Sequence, residues 1–259
     1  MRIVVNADDF GASAETVAAT VACLEEGALT SATIMPTMPA ADEALAYARG
    51  RTDRSFGLHL TFGGNGEERC AADPRDIPAL VDEEGRFPAA TPVRLRALVR
   101  RIPVAQLERE IAAQLSLVRD RGVEISHVDS HRHLHKLAPF QAALRNVLPR
   151  FGIERVRTVQ DVYLNRPLLG ATYWVGPLWR RPLRRSFRTT DHFYMPASTG
   201  DLGWVDGLLE RVGGLPGATL EVGVHPGHDG WRDDERRSAR RLRDRADELG
   251  HELVSWREV

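Results

Sequence analysis

The sequence predicts an α/β fold, a (β/α) TIM-like barrel in either a regular or an irregular, incompletely closed form. Short β-branched runs alternate with amphipathic stretches along most of the 259 residues, and βαβα order specifies a parallel sheet with helices packed around it. About six to seven strands over this length fit a closed or nearly closed barrel better than an open sheet. No linker or internal repeat divides the chain, so residues 1–259 read as one domain. Such barrels place functional groups just after strand ends, which gives a filter for every motif.

Residues 3–7 read as a first buried strand. Residues 13–26 carry Val17, Val21 and Leu24 at helical spacing, with Ser13 as N-cap and Gly27 closing the helix. A second strand follows at 30–35, a second helix at 40–49 before Gly50, and a third strand at 56–62. Residues 63–92 break this rhythm with GGNG, several prolines and mixed charges, the composition of an insertion or lid. Helices are expected at 93–101 and 104–121, a fourth strand at 124–129, a helix at 139–151 and a fifth strand at 154–159. Residues 161–199 read as irregular, rich in Trp, Tyr, Pro and Arg, making a second insertion or lid near 160–199. A helix at 201–212, a strand at 219–224, a charged helix at 233–249 and a strand at 252–256 complete the pattern.

Composition removes several function classes. With 35 basic against 36 acidic residues, the formal charge of -1 exerts no global pull toward nucleic acid or an anionic membrane. Lys136 is the only lysine, so no P-loop is present and Schiff-base chemistry would rest on that residue alone. No GxSxG elbow occurs. Cys23 and Cys70 form no CxxC pair and suit a reducing compartment. No apolar run approaches the ~20 residues of a membrane helix, and the early carboxylates do not suit a signal peptide, so a cytoplasmic location is expected.

Four segments carry candidate chemistry. The first strand ends in Asn6-Ala7-Asp8-Asp9-Phe10-Gly11, where adjacent carboxylates repel unless a cation or proton compensates; a capping Asx turn is the simpler alternative. His59 interrupts an otherwise apolar third strand and points into the barrel or its mouth; alone, such a histidine is more often a hydrogen-bonded core residue. The fourth strand leads into Ser126-His127-Val128-Asp129-Ser130-His131-Arg132-His133-Leu134-His135. In extended backbone His127, Asp129 and His131 share one face, and this density of imidazole with a carboxylate points to metal binding. In the late strand, His225 stands at the end before Pro226-Gly227, and Glu221 lies inside, where a buried carboxylate needs a histidine or arginine partner. Asp191-His192-Phe193-Tyr194 could line a pocket. The charged helix after Trp231 reads as an exposed, salt-bridged face.

NADDFG, GLHL, HVDSHRHLH and EVGVHPG occur in the order found in YdjC-like carbohydrate deacetylases, the family that includes the chitooligosaccharide deacetylase of chitobiose operons. The motifs extend from residue 6 to 227, and the chain resembles that family over nearly its whole length. The resemblance implies a (β/α) barrel that hydrolyses the N-acetyl group of an amino sugar at one divalent metal ion. It implies Asp9, His59 and His131 as metal ligands, Asp8 as catalytic base and His225 as catalytic acid. His127, Asp129, His133, His135, Asp191 and Glu221 would then support the ligands or face the substrate. The ligand set suits Zn²⁺, Co²⁺ or Ni²⁺, and the resemblance adds Mg²⁺.

The expected partner is thus an N-acetylated amino sugar, with no nucleic acid and no membrane span. Trp174, Trp179, Phe193 and Tyr194 offer faces for a sugar; packing on the barrel exterior or a homodimer contact is the alternative use of these aromatics. A metal-dependent phosphoesterase on the same ligands and a non-catalytic sugar-binding protein are the competing functional classes.

Overall fold

The computed structural model describes residues 1–66, 68–165, 171–196 and 203–259. Its strands in chain order are β1 (Arg2–Phe10), β2 (Ser31–Ile34), β3 (Ser55–Leu60), β4 (Ile125–Ser130), β5 (His192–Tyr194), β6 (Thr219–Val224) and β7 (Glu252–Leu253). The helices are α1 (Ala14–Glu25), α2 (Ala41–Ala48), α3 (Ala90–Leu98), α4 (Val104–Asp120), α5 (Ala138–Val147), α6 (Ala171–Ser186), α7 (Trp204–Val212) and α8 (Gly230–Glu248). β1 is buried at every residue after Arg2, because helices cover the sheet outside while its inner face is filled by side chains. Ser13 caps α1 as its sequence suggests, accepting the Thr16 N–H in a reciprocal box with the Thr16 hydroxyl. On α4, Leu107, Ile111, Leu115 and Val118 make the apolar stripe that faces the sheet.

All pairings are parallel, in the order β4-β3-β2-β1-β6-β5. β7 pairs with β1 at Arg2 and Ile3, below the point where β2 joins at Asn6. The result is an open half-barrel, and among the described residues the strands do not close into a full barrel. Between the edges β4 and β5, isolated bridges pair Val128 with Val156 and Arg155 with Arg188. The strand expected at 154–159 is therefore only a pair of bridges. Two of its residues on one face reach different depths: Arg157 meets the acids inside the barrel, while Arg155 reaches the carbonyls of Arg257 and Val259.

The irregular stretch expected at 161–199 is corrected by α6 and β5. Pro177 and Pro182 lie inside α6 and obscure its helical pattern, and β5 is only three residues long. Residues 201–202, the expected start of the next helix, lie outside the described residues. The segment 63–92 holds a bridge between Arg69 and Arg86, a short turn of helix at Pro74–Asp76 and the start of α3. No helix among the described residues is long and apolar enough to cross a membrane.

The N-terminal end of the barrel interior is plugged by Trp256, which is fully buried. Its backbone N–H donates to Ser31 Oγ at the start of β2, its indole N–H to Glu221, and its ring stacks on His127 at 4.6 Å. Gly57 makes room for this stack, since a Cβ there would stand 2.6 Å from the His127 ring. Trp256→Ala should cost about 3–5 kcal/mol of unfolding free energy, measured by urea denaturation; a loss below about 1 kcal/mol would mean the plug is dispensable.

Candidate active site

The acidic pair is aimed by a defect in β1. Successive residues of a regular strand point to opposite faces, yet Asp8 and Asp9 both line one pocket of about 410 Å³ at the C-terminal ends of the strands. The β1–β2 register slips between Ala7 and Phe10, and Asp9 takes φ 60°. Aspartate tolerates this left-handed conformation better than most residues, and a bulge re-aims side chains in this way. Gly11, at φ 102°, carries the chain out beneath α2.

Beneath the pocket lies a buried ionic network centred on Arg157. Its guanidinium donates to both oxygens of Asp8 at 2.6 and 2.7 Å and to Glu221 Oε1 at 2.7 and 2.9 Å, and it contacts Asp129 Oδ2 at 2.6 Å. Phe193 lies against its face, 4.8 Å from ring centroid to guanidinium carbon. Burial opposes the charge on Asp8, but Arg157 outweighs it and holds this carboxyl well below the usual range. Glu221 behaves differently: burial pushes it up to about 7 despite Arg157. Its Oε1 accepts from Arg157 and Trp256, while the buried Oε2 has no partner and can keep a proton.

Asp129 is in register with His59 on the neighbouring strand. Its Oδ1 lies 2.7 Å from His59 Nδ1, and Thr33 Oγ donates to its Oδ2. This pairing places the His59 proton on Nδ1 and leaves Nε2 facing Asp9 Oδ1 at 3.4 Å. Burial disfavours a charged His59, but Asp129, Asp9 and Asp8 together raise its pKa to about 10. That rise measures the negative potential of the site. Asp8, His59 and Asp129 form a buried Asp–His–Asp group of metal-holding type, the one such group among the described residues whose donor atoms all lie within 4.8 Å. In this group, however, Asp8 and Asp129 already face the Arg157 guanidinium.

His131 follows β4 directly, its ring 5.8 Å from that of His59. Two atoms on this pocket that could ligate a cation are buried without a well-formed hydrogen bond: His131 Nδ1, and Asp9 Oδ1, which has only the 3.4 Å contact to His59 Nε2. Burial lowers His131 to about 4, so its nitrogens stay neutral and able to bind a cation. Arg232 holds the other Asp9 oxygen at 2.7 Å. His225 lies on the same pocket, and its Nδ1 and backbone N–H both meet Glu235 Oε2, at 3.1 and 2.6 Å. Burial works against protonation, but Glu235, Asp9 and Asp8 raise the His225 pKa.

The other expected residues are spread along the barrel. His127 lies deep, stacked on Trp256, and Glu221 and Asp129 sit in the Arg157 network. His133 lines the pocket, whereas His135 lies behind it, bonded to Ser130. Asp191 is elsewhere: it accepts from the N–H groups of Ala218 and Thr219 at the start of β6, the end opposite the pocket. The aromatic segment is also redirected. Tyr194 packs on Trp204 inside the core, Trp179 packs beside Lys136, and Trp174 is exposed on α6, so none of the three lines the pocket. Trp231 does, edge-on to His225 at 5.4 Å. Arg157, Arg232 and Glu235 were missed as site residues. An arginine alternating with valines in RVRTV was a usable signal for the first; the last two were hidden in a helix that reads as plain surface.

Fold and site together define an open (β/α)-barrel protein with its ionisable groups gathered at the C-terminal strand ends. Residues 2–254 match the family model described as YdjC-like protein, and the chain belongs to that family. A carbohydrate deacetylase of Geobacillus stearothermophilus is 31% identical over 230 residues, which cover 87% of this chain and 79% of that protein. A carbohydrate deacetylase of Brevibacillus brevis is 35% identical over 136 residues, 52% of this chain and 50% of the relative. A proposed cellobiose-phosphate cleavage protein from Enterococcus faecalis V583 shares the fold, with a TM-score of 0.79 and 21% identity over 99% of this chain and 98% of that one.

Glu221 generates a pH prediction. Its folded pKa of about 7 stands above the ordinary 4.5, so between these values the unfolded chain has lost the proton and the folded chain has kept it. Ionisation opposes folding, and this contribution to stability falls as pH rises through the window. Glu221→Gln should flatten that fall, gaining on wild type by a few kcal/mol between pH 5 and 7.5 in urea titrations. A constant difference between the two proteins would show that Glu221 is ionised throughout.

Proposed function

We propose that this chain is a metal-dependent carbohydrate N-deacetylase, which hydrolyses the acetamido group of an amino sugar in a GlcNAc-containing saccharide or glycoconjugate. The observation that carries this reading is one pocket lined by Asp8, Asp9, His59, His131 and His225, in which His131 Nδ1 is buried without a partner and Asp9 Oδ1 has only His59 Nε2, at 3.4 Å. The deacetylase relatives support the substrate class. Asp9, His59 and His131 would hold the ion: one carboxylate and two imidazoles fit a divalent cation, which would take the place of the His59 Nε2 proton, and the imidazoles suit Zn²⁺, Co²⁺ or Ni²⁺ better than Mg²⁺. When bound, such an ion lowers the pKa of a water and polarises an amide carbonyl.

Asp8 takes the proton of the attacking water. Arg157 holds it ionised and oriented, at the expense of basicity, so the carboxylate serves by position more than by strength. His225 protonates the leaving nitrogen; Glu235 engages Nδ1 and leaves Nε2 as the proton carrier. The C–N bond breaks, the water oxygen joins the acetyl carbon, and the products are acetate and the free amino sugar. Trp231, 38% exposed beside His225, is the aromatic face for the sugar ring.

Mass spectrometry should detect loss of an acetyl group from an N-acetylated sugar, abolished by chelator. Release of phosphate from an aryl phosphate with no deacetylation would instead establish a phosphoesterase, for which Arg94 and Arg132 on the pocket wall would supply the anion contacts. Asp8→Asn and His225→Ala should bind metal normally yet lose roughly 10²- to 10⁴-fold in rate; a rate within about threefold of wild type would remove either residue from the mechanism. Trp231→Ala should raise KM roughly five- to tenfold, the equivalent of about 1 kcal/mol of stacking, with metal affinity unchanged. Trp179→Ala and Tyr194→Ala should lower stability and leave KM alone; the reverse pattern would return the sugar wall to that segment.

A further inference from the structure

We infer that a second, smaller chamber behind the active-site pocket is a binding site for a short carboxylate. Acetate is its ligand if the chain is the deacetylase proposed above, and the naming of acetate rests on that reading. The chamber has a volume of about 70 Å³. His133, His135, Lys136 and Thr158 form its polar wall, and Val159 and Phe193 its apolar one. It thus offers donors for two carboxylate oxygens on one side and cover for a methyl group on the other.

Two observations mark the polar wall as unfilled by the protein itself. Thr158 Oγ is fully buried without a partner, and His135, 1% exposed, has no partner at Nε2. Burying polar groups unpaired is costly, and a ligand or water would recover that cost. Ser130 Oγ accepts the His135 backbone N–H and lies 2.9 Å from Nδ1; when its hydroxyl proton is given to Nδ1, the ring proton stands on Nε2. Nε2 is then a donor, as an anion requires.

The cation is the third observation. Of 35 lysine and arginine residues, one is lysine, and it lines this chamber. A compact ammonium fits a space this small where a planar guanidinium would fill it. Burial and Arg94 lower Lys136 to about 8, so most of it still carries charge at pH 7. The chamber also adjoins the proposed chemistry: His133 lines both it and the main pocket. Arg132 and His133 hold this position at φ 57° and 53°, two successive left-handed residues whose strain the surrounding packing must support.

The test is a titration of [1-¹³C]acetate into the metal-loaded protein and into the chelated protein, followed by NMR line width. Both forms should bind acetate, and butyrate, too long for the chamber, should not compete. Lys136→Met should weaken binding at least tenfold and Thr158→Val by severalfold, with thermal melts confirming the fold; should Lys136→Met fail to fold, Thr158→Val carries the test. Binding that vanishes with the metal, or that survives both substitutions unchanged, overturns the chamber. Acetate binding by a chain without deacetylase activity would uphold the chamber and remove the functional reading. Deacetylation by a chain that binds no acetate in the chelated form would uphold the function and overturn the chamber.

Discussion

Arg157 ties together from the inside a barrel whose edges β4 and β5 are joined by isolated backbone bridges only. Its segment reaches β4 through bridges alone, while its guanidinium ties Asp8 of β1, Asp129 of β4 and Glu221 of β6 into one buried ionic cluster. Few neutral substitutes exist for such a group, because one planar fork must satisfy acids from three strands. Removing it would leave buried carboxylates without a counter-charge, the case in which a buried ion pair is most costly to break. The same guanidinium holds Asp8 by both oxygens and Asp129 by the oxygen that does not face His59.

Above this cluster the charge balance changes sign. Asp9 has Arg232 on one oxygen and none on the other, and the acids around His59 raise its pKa to about 10. Lower down, Arg157 satisfies the acids; higher up, Arg232 meets one Asp9 oxygen and the His59 ring faces the other. One guanidinium thus separates a structural half of the barrel from a chemical half. His225 lies across this boundary, its Nδ1 bound to a buried glutamate and its ring edge to Trp231.

Much of this was legible in the chain. Strand β6 and helix α4 stand within a residue of their expected bounds, and Ser13 caps α1 as read. Apart from Glu68 of the segment after β3, the acids and histidines that line the pocket lie at or just after strand ends. What escaped was masked by local chemistry. Pro177 and Pro182 hid α6, β5 was too short to show a period, and an arginine-rich α8 concealed that Glu235 is buried.

The sequence by itself determined the parallel βα order, the family and the positions of the acids and histidines at strand ends, because apolar periodicity and motif order are one-dimensional properties. The tertiary structure alone decided which of those groups meet. A register slip at Asp9 turns two adjacent aspartates to one pocket, and an arginine from a segment held only by isolated bridges gathers acids as far as 149 residues from it in sequence. The exchange of Tyr194 for Trp231 at the pocket wall has the same origin. An aromatic residue reads alike in sequence whether it faces the core or the cleft, and only the packing of β5 and α8 against the sheet separates the two.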